Sequence, residues 1–276
     1  MAFTPVSGDT LPQIALLVSD LDGTLVRPDK SLSPATIAAV QRLQASGLPV
    51  TLISARPPRG MRYPLKALGL DLPYGAFNGG TIVNADGSVA VAHRITESAA
   101  RTALALFAKH PVDIWVFVDD QWLLSKDEGE FVARERVTVG YGPVVVKVFD
   151  GYADRIDKIV AVSGDHASLA VLETDLKALL GNTATVARSQ PYYLDVTDVL
   201  ANKGDGVAAL AAAIGVSLQQ TAVIGDAAND VPMFARAGLA IAMGQAEQSV
   251  KDRAALVTSS NTEDGVAAAI DRWLMR

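Results

Sequence analysis

Two aspartates, Asp20 and Asp22, stand either side of one leucine in the run Asp20-Leu21-Asp22-Gly23-Thr24-Leu25. On an extended segment, residues two apart leave the same face, so both carboxylates point one way. Close carboxylates repel and resist being desolvated together, which calls for a cation between them. A second acidic cluster, Asp226, Asn229 and Asp230, follows Gly225; Ser54-Ala55-Arg56 adds a hydroxyl, and Lys203 an ammonium. This set suits Mg²⁺ with a phosphoryl group: hard oxygen ligands for the metal, donors for the phosphate oxygens. Singly, each residue also has a plainer reading. Asp22-Gly23 makes a turn, Asp226 caps a helix, Lys203 is a solvated lysine at a helix start, and Arg56 before Pro57 orders its own loop.

The elements that must position these residues can be read around them. Residues 14–19 carry no charge and read as a buried strand ending at Asp20. Ser33-Pro34 opens a helix that ends near Gly47, with serine as N-cap and proline in the first turn. A strand over residues 49–53 ends at Ser54, and a helix near residues 61–68 stops at Gly69. Lys203 opens a helix to Ile214, residues 222–224 form a strand ending at Gly225-Asp226, and a short helix covers 231–236. Strands follow at 239–241 and 255–257, then a terminal helix over 264–275. Alternating strands and helices define an α/β chain with a doubly wound, Rossmann-like parallel sheet. Its strand ends lie along one edge, where ligands bind.

The middle of the chain has a different periodicity. Residues 96–109 are helical, and 113–119 with 121–124 alternate around Asp119-Asp120 like an antiparallel hairpin. A strand over 157–163, a helix over 169–180 and strands over 183–188 and 192–196 follow. Trp115 and Trp122 read as packing residues of this section, and Asp119-Asp120 as its hairpin turn. The expected division is a core of residues 1–85 and 191–276, with an α/β domain of residues 86–190 inserted between Asn84-Ala85-Asp86-Gly87, itself a hairpin turn, and the return of the core pattern.

Composition excludes several classes. The 276 residues are half hydrophobic, enough for a full core, and carry a net charge of −6 with no basic run to suit nucleic acid or an anionic membrane. There is no cysteine, hence no disulfide or thiolate chemistry, and His93, His110 and His166 lie far apart in no ligand spacing. No apolar stretch is long enough to span a bilayer, and the N-terminus has no signal-peptide pattern. Residues 1–12 read as a short tail, and the chain as cytoplasmic, without a nucleic-acid or membrane partner; the sequence leaves its oligomeric state open.

The chain resembles the haloacid dehalogenase superfamily, in its Cof-like hydrolase group. Asp20 to Leu25 matches the first family motif, Ser54-Ala55-Arg56 the second, and Lys203-Gly204 the third. Gly225-Asp226-Ala227-Ala228-Asn229-Asp230-Val231-Pro232-Met233 matches the last. Asn78-Gly79-Gly80 and Asp264-Gly265-Val266-Ala267 are also typical. Motif two departs from the usual Thr-Gly-Arg: serine keeps the hydroxyl, and alanine narrows the loop's freedom. The resemblance implies a phosphatase of small phosphorylated metabolites, sugar phosphates above all, with Mg²⁺ as cofactor. It implies Asp20 as nucleophile, and Asp22 as general acid then base, binding the metal through its backbone carbonyl. Asp226 would be a metal ligand with Asp230 close by. Ser54, the Ala55 amide, Lys203 and Asn229 would hold the phosphate. Only about 30 residues separate Asp22 from Ser54, too few for a cap between them once short loops are allowed; the insertion after Gly80 resembles the type two cap. A phosphomutase with the same phosphoaspartate, and a non-catalytic module binding metal and phosphate, are the alternatives.

Overall fold

A computed structural model of the chain describes residues 11–129 and 131–275; the tail expected at 1–12 falls almost wholly outside them. Among these residues the order is β1 (Leu16–Ser19), α1 (Pro34–Ala45), β2 (Val50–Leu52), α2 (Pro58–Leu68), β3 (Tyr74–Ala76), β4 (Thr81–Val83) and β5 (Val89–Ala92). Then come α3 (Glu97–Phe107), β6 (Asp113–Val118), β7 (Gln121–Leu124), α4 (Val132–Val139), β8 (Val144–Val145), β9 (Lys158–Val162), α5 (His166–Leu180), β10 (Thr185–Gln190) and β11 (Tyr193–Thr197). The chain closes with α6 (Lys203–Ile214), β12 (Thr221–Gly225), α7 (Val231–Phe234), β13 (Leu239–Ala242), α8 (Gln248–Lys251), β14 (Leu256–Val257) and α9 (Gly265–Ala269), which runs into a π-turn, Ile270–Leu274.

Contacts divide the chain into two units. The first holds the described residues up to Ala55, Met61–Ala90 and those from Asn202 onward. Its main sheet is five-stranded and parallel, in the order β14-β13-β12-β1-β2. The core packs Leu17, Leu52, Ile224 and Ile241 from the strands against Val40 and Leu43 of α1 and Val266 and Ile270 near the end of the chain. Strand order reverses between β1 and β12: β1 continues sideways to β2, whereas β12 leads through β13 to β14. Such a reversal opens a crevice at the carboxyl ends of the two central strands. Asp20 follows β1, and Asp226 follows β12. Ser33 caps α1 as its sequence requires, accepting from the Thr36 amide at 3.0 Å.

The second unit comprises Arg56–Gly60 and Val91–Ala201. Its sheet runs β10-β11-β9-β6-β7-β8, antiparallel except for the β7–β8 pair. One face turns Val116, Val118, Ile159, Ala161 and Leu194 into a core with α3 and α5, among them Ala100, Phe107, Leu169 and Leu176. Alternation sends Trp115, Phe117, Trp122 and Tyr193 to the other face. There Trp115 packs edge-on against Trp122, with centroids 5.0 Å apart. Asp119 and Asp120 make the β6–β7 turn with φ of +50° and +57°, the left-handed pair a tight hairpin demands.

This organisation moves the expected boundaries. A divide after Gln190 would part β10 from β11, yet the two are antiparallel neighbours, and β11 also pairs with β9. The inserted unit therefore runs to Ala201, starts at Val91 rather than 86, and gathers Arg56–Gly60 besides. Helix α2 starts three residues before the expected 61, and α4 was not expected at all.

Candidate active site

Asp20 extends β1 by one bond, its amide donating to the Ile224 carbonyl at 2.9 Å, and its side chain is buried. The chain then turns at Gly23, whose φ of +81° suits glycine; any Cβ there would overlap the Asp226 carboxylate. Thr24 Oγ1 donates to Asp226 Oδ1 at 3.1 Å, and Gln245 Nε2 to the Gly23 carbonyl at 2.6 Å. At the end of β12, Gly225 leaves room for the Asp230 carboxylate where a side chain would collide with it. Asp230 Oδ2 accepts from the Asp226 and Ala227 amides, both at 2.9 Å, and folds the segment into a tight turn. Lys203 sits in the first turn of α6, behind Asn202, whose side chain caps the helix by accepting from the Asp205 amide.

Four of the expected residues converge. Lys203 is only 1% exposed and its Nζ donates to Asp20 Oδ1 at 2.5 Å and to Asp230 Oδ1 at 2.6 Å. Among the described residues, Asp20, Asp226 and Asp230 each offer a carboxylate oxygen within 4.8 Å of the others. Three carboxylates thus face one ammonium. Burial, more than anything else, lifts the Asp20 pKa well above the carboxylate range; Lys203 opposes it, and Asp230 and Asp226 add to it. Burial and then Asp230 push Asp226 up to about 6. Burial works to lower the Lys203 pKa, but Asp20 and Asp230 outweigh it and raise it. An excess of buried negative charge on hard oxygen donors, with no histidine or thiolate among them, fits a small divalent cation. Asp230, already accepting three protein hydrogen bonds, has the least capacity left to ligate it.

The other expected residues are placed as follows. Asp22 is not one of the three clustered carboxylates, though its charge helps to raise the Asp226 pKa, and its Oδ1 pairs with Lys30 Nζ at 2.7 Å. Ser54 is buried; its amide donates to the Gly75 carbonyl and its carbonyl accepts from the Asn78 amide at 2.7 Å. Asn78 Oδ1 in turn accepts from Asn229 Nδ2 at 3.1 Å, so Asn78 joins the second motif to the fourth. Its own φ is +58°. Ala55 is the last residue of its segment in the first unit, and Arg56, which begins the short segment of the second, points Nη1 at the Gly60 carbonyl at 3.5 Å. Sequence reasoning gave Asn78 as part of a run typical of the resembled group without a contact of its own, and missed Gln245 and Lys30. For Gln245 there is no local signal. For Lys30 the Pro28-Asp29 turn before it was a legible one.

Comparison with known proteins agrees with this architecture. The haloacid dehalogenase-like hydrolase family matches residues 17–270. The HMP-PP phosphatase of an Enterobacter species is 32% identical over 231 residues, 84% of each chain. The 5-amino-6-(5-phospho-D-ribitylamino)uracil phosphatase YwtE of Bacillus subtilis is 30% identical, covering 92% of this chain and 96% of its own. A solved haloacid dehalogenase-like hydrolase from Bacteroides thetaiotaomicron superposes with a TM-score of 0.87 at 27% identity, over 94% of this chain and 99% of that one. The chain belongs to the haloacid dehalogenase-like hydrolases. Within them it is a phosphoric monoester hydrolase.

Proposed function

We propose that the protein is a cytoplasmic, Mg²⁺-dependent phosphatase of small phosphorylated metabolites, sugar phosphates first among them, working through an aspartyl-phosphate on Asp20. The observation that carries this reading is the convergence of Asp20, Asp226 and Asp230 on Lys203 at the switch point of the parallel sheet. Asp20, Asp226 and the Asp22 backbone carbonyl would hold the cation, with Asp230 completing the set. When bound, the cation neutralises the carboxylates and the phosphoryl oxygens together. The ribityl phosphate in the name of the Bacillus relative supports a phosphorylated polyol or sugar.

The chemistry follows from the chain's own groups. An Asp20 oxygen attacks phosphorus, the ester P–O bond breaks, and the leaving alkoxide takes a proton from Asp22. Water then attacks the phosphoaspartate, giving its proton to the Asp22 carboxylate. The P–O bond to Asp20 breaks, releasing orthophosphate and restoring the aspartate. Lys203 supplies a fixed positive charge beside the transferring group, while Ser54, the Ala55 amide and Asn229 hold its oxygens. No described helix is long and apolar enough to cross a membrane.

The test is phosphate release from p-nitrophenyl phosphate with Mg²⁺ and with EDTA. Release that requires Mg²⁺ and disappears in Asp20→Asn is expected. Full activity in EDTA would refute the metal, and none at all would favour a mutase or a binding module.

A further inference from the structure

We infer that Lys30 is a positioning residue that holds the Asp22 carboxylate on the leaving-group side of the site. The inference rests on the reading of Asp22 as acid and base. In-line displacement puts the leaving oxygen opposite the attacking oxygen of Asp20. The proton donor must therefore stand off the clustered oxygens of Asp20, Asp226 and Asp230. A cation bound among those three would draw a fourth carboxylate towards itself. Lys30 Nζ, 2.7 Å from Asp22 Oδ1, holds that carboxylate from the other side.

Three features separate this pair from an incidental surface contact. Both side chains are close to one-third exposed, 32% for Lys30 and 30% for Asp22. At that exposure an ion pair adds little to stability, so stability is a poor reason for it. Lys30 also has φ +68°, a left-handed conformation that disfavours a residue with a Cβ. The turn that imposes it is tied down throughout. Arg27 N donates to the Ser31 carbonyl and Lys30 N to the Arg27 carbonyl. Asp29 Oδ1 accepts from the Ser31 amide and hydroxyl, and Arg27 pairs with Asp264 at 3.1 Å. The backbone before it is held too, Asn261 Nδ2 donating to the Val26 carbonyl. The restrained turn gives the lysine side chain a fixed starting point, and its tip meets the one carboxylate of the first motif outside the three-aspartate cluster.

The experiment compares Lys30→Met, Lys30→Arg and Asp22→Asn in the full chain with Mg²⁺. It uses p-nitrophenyl phosphate and glucose 6-phosphate, with phosphoprotein quantified after rapid acid quench. In Lys30→Met, kcat should fall about tenfold on both substrates, part of the roughly 10²–10⁴ a placed acid–base group contributes. With p-nitrophenyl phosphate, phosphoprotein should rise, because water attack lacks its base, and KM should fall with it as the covalent intermediate accumulates. Lys30→Arg should recover most of kcat. Unchanged kcat, or a raised KM with kcat intact, would overturn the inference, the second because Lys30 would then touch substrate directly. So would a fall in kcat that arginine does not rescue and that brings no phosphoprotein, which marks a loop merely disordered. Asp22→Asn separates the two levels. If it accumulates phosphoprotein while Lys30→Met behaves as the parent, only the inference fails. If it does not, the role of Asp22 fails and the inference with it.

Discussion

At 1% exposure, a lysine keeps its charge only where carboxylates meet it, and Lys203 meets two. Read from sequence, Lys203→Ala spares the fold, because alanine is welcome in a helix. Burial changes that expectation: removing the ammonium strands Asp20 and Asp230 beside Asp226. The sign follows from the raised pKa of Asp20. A carboxylate harder to ionise folded than unfolded costs stability as pH rises past its unfolded value, and losing Lys203 enlarges that cost. Lys203→Met should therefore lower the melting temperature little near pH 4.5 and strongly at pH 8, where breaking such a buried pair costs about 3–5 kcal/mol. Turnover should drop on the order of 10²-fold or more. Adding Asp230→Asn should restore part of the stability at pH 8 and none of the turnover. A melting deficit equal at both pH values would mean Lys203 contributes packing rather than charge.

Among the elements, those that begin or end on a strong local signal were legible. Helix α6 runs from Lys203 to Ile214 as its sequence indicates, and Ser33 marks the start of α1. The β6–β7 hairpin follows from alternation about Asp119-Asp120. Four residues of the candidate site could be read from the sequence because each closes a strand or opens a helix whose pattern is plain. What stayed hidden depends on partners distant in sequence. Helix α4 has no side-chain cap and buries only Val132 and Val139, so it leaves little periodicity to read. The place of β11 is decided by β9, which alternation within β11 cannot reveal. Nor does sequence show the burial of Asp157 at the mouth of β9, which pushes its pKa from 3.8 up to about 6, with Arg94 at 3.4 Å offsetting only part of the effect. An unfolded Asp157 ionises near 3.8 and the folded one near 6. The penalty therefore builds between those values and is complete above them. Two pH units correspond to about 3 kcal/mol at most. Asp157→Asn should stabilise the protein by about 2 kcal/mol at pH 7.5 and scarcely at pH 4, as urea titrations at the two pH values would register. A gain independent of pH would put the cause outside ionisation.

Over the whole molecule, a five-stranded parallel sheet and a six-stranded, largely antiparallel one share the chain with a small three-stranded sheet, β3-β4-β5. The parallel sheet needs residues from both ends of the sequence, since β1 lies between β2 and β12. The antiparallel one is closed within Val91–Ala201, apart from the short Arg56–Gly60 segment, whose Arg59 amide donates to Asp120 at 3.0 Å. Every motif residue proposed to touch metal or phosphate lies in the first unit, and we propose that the second governs which phosphate ester is accepted. Two excisions put this to the test. Joining Ala90 to Asn202 through a short linker removes the antiparallel sheet entire, at the cost of the Asp120 bond to Arg59. Removing residues 86–190 instead leaves the buried strand Tyr193–Thr197 without β9 and β10. An unpaired apolar strand is a template for association. The first product should be recovered as soluble protein. It should keep slow Mg²⁺-dependent hydrolysis of p-nitrophenyl phosphate and lose the parent's ranking of substrates across a panel of phosphorylated metabolites. The second should aggregate. If the first excision preserved the parent's ranking, selectivity would belong to the parallel-sheet unit; if both products were equally soluble, β11 would not depend on its neighbours as its pairing indicates.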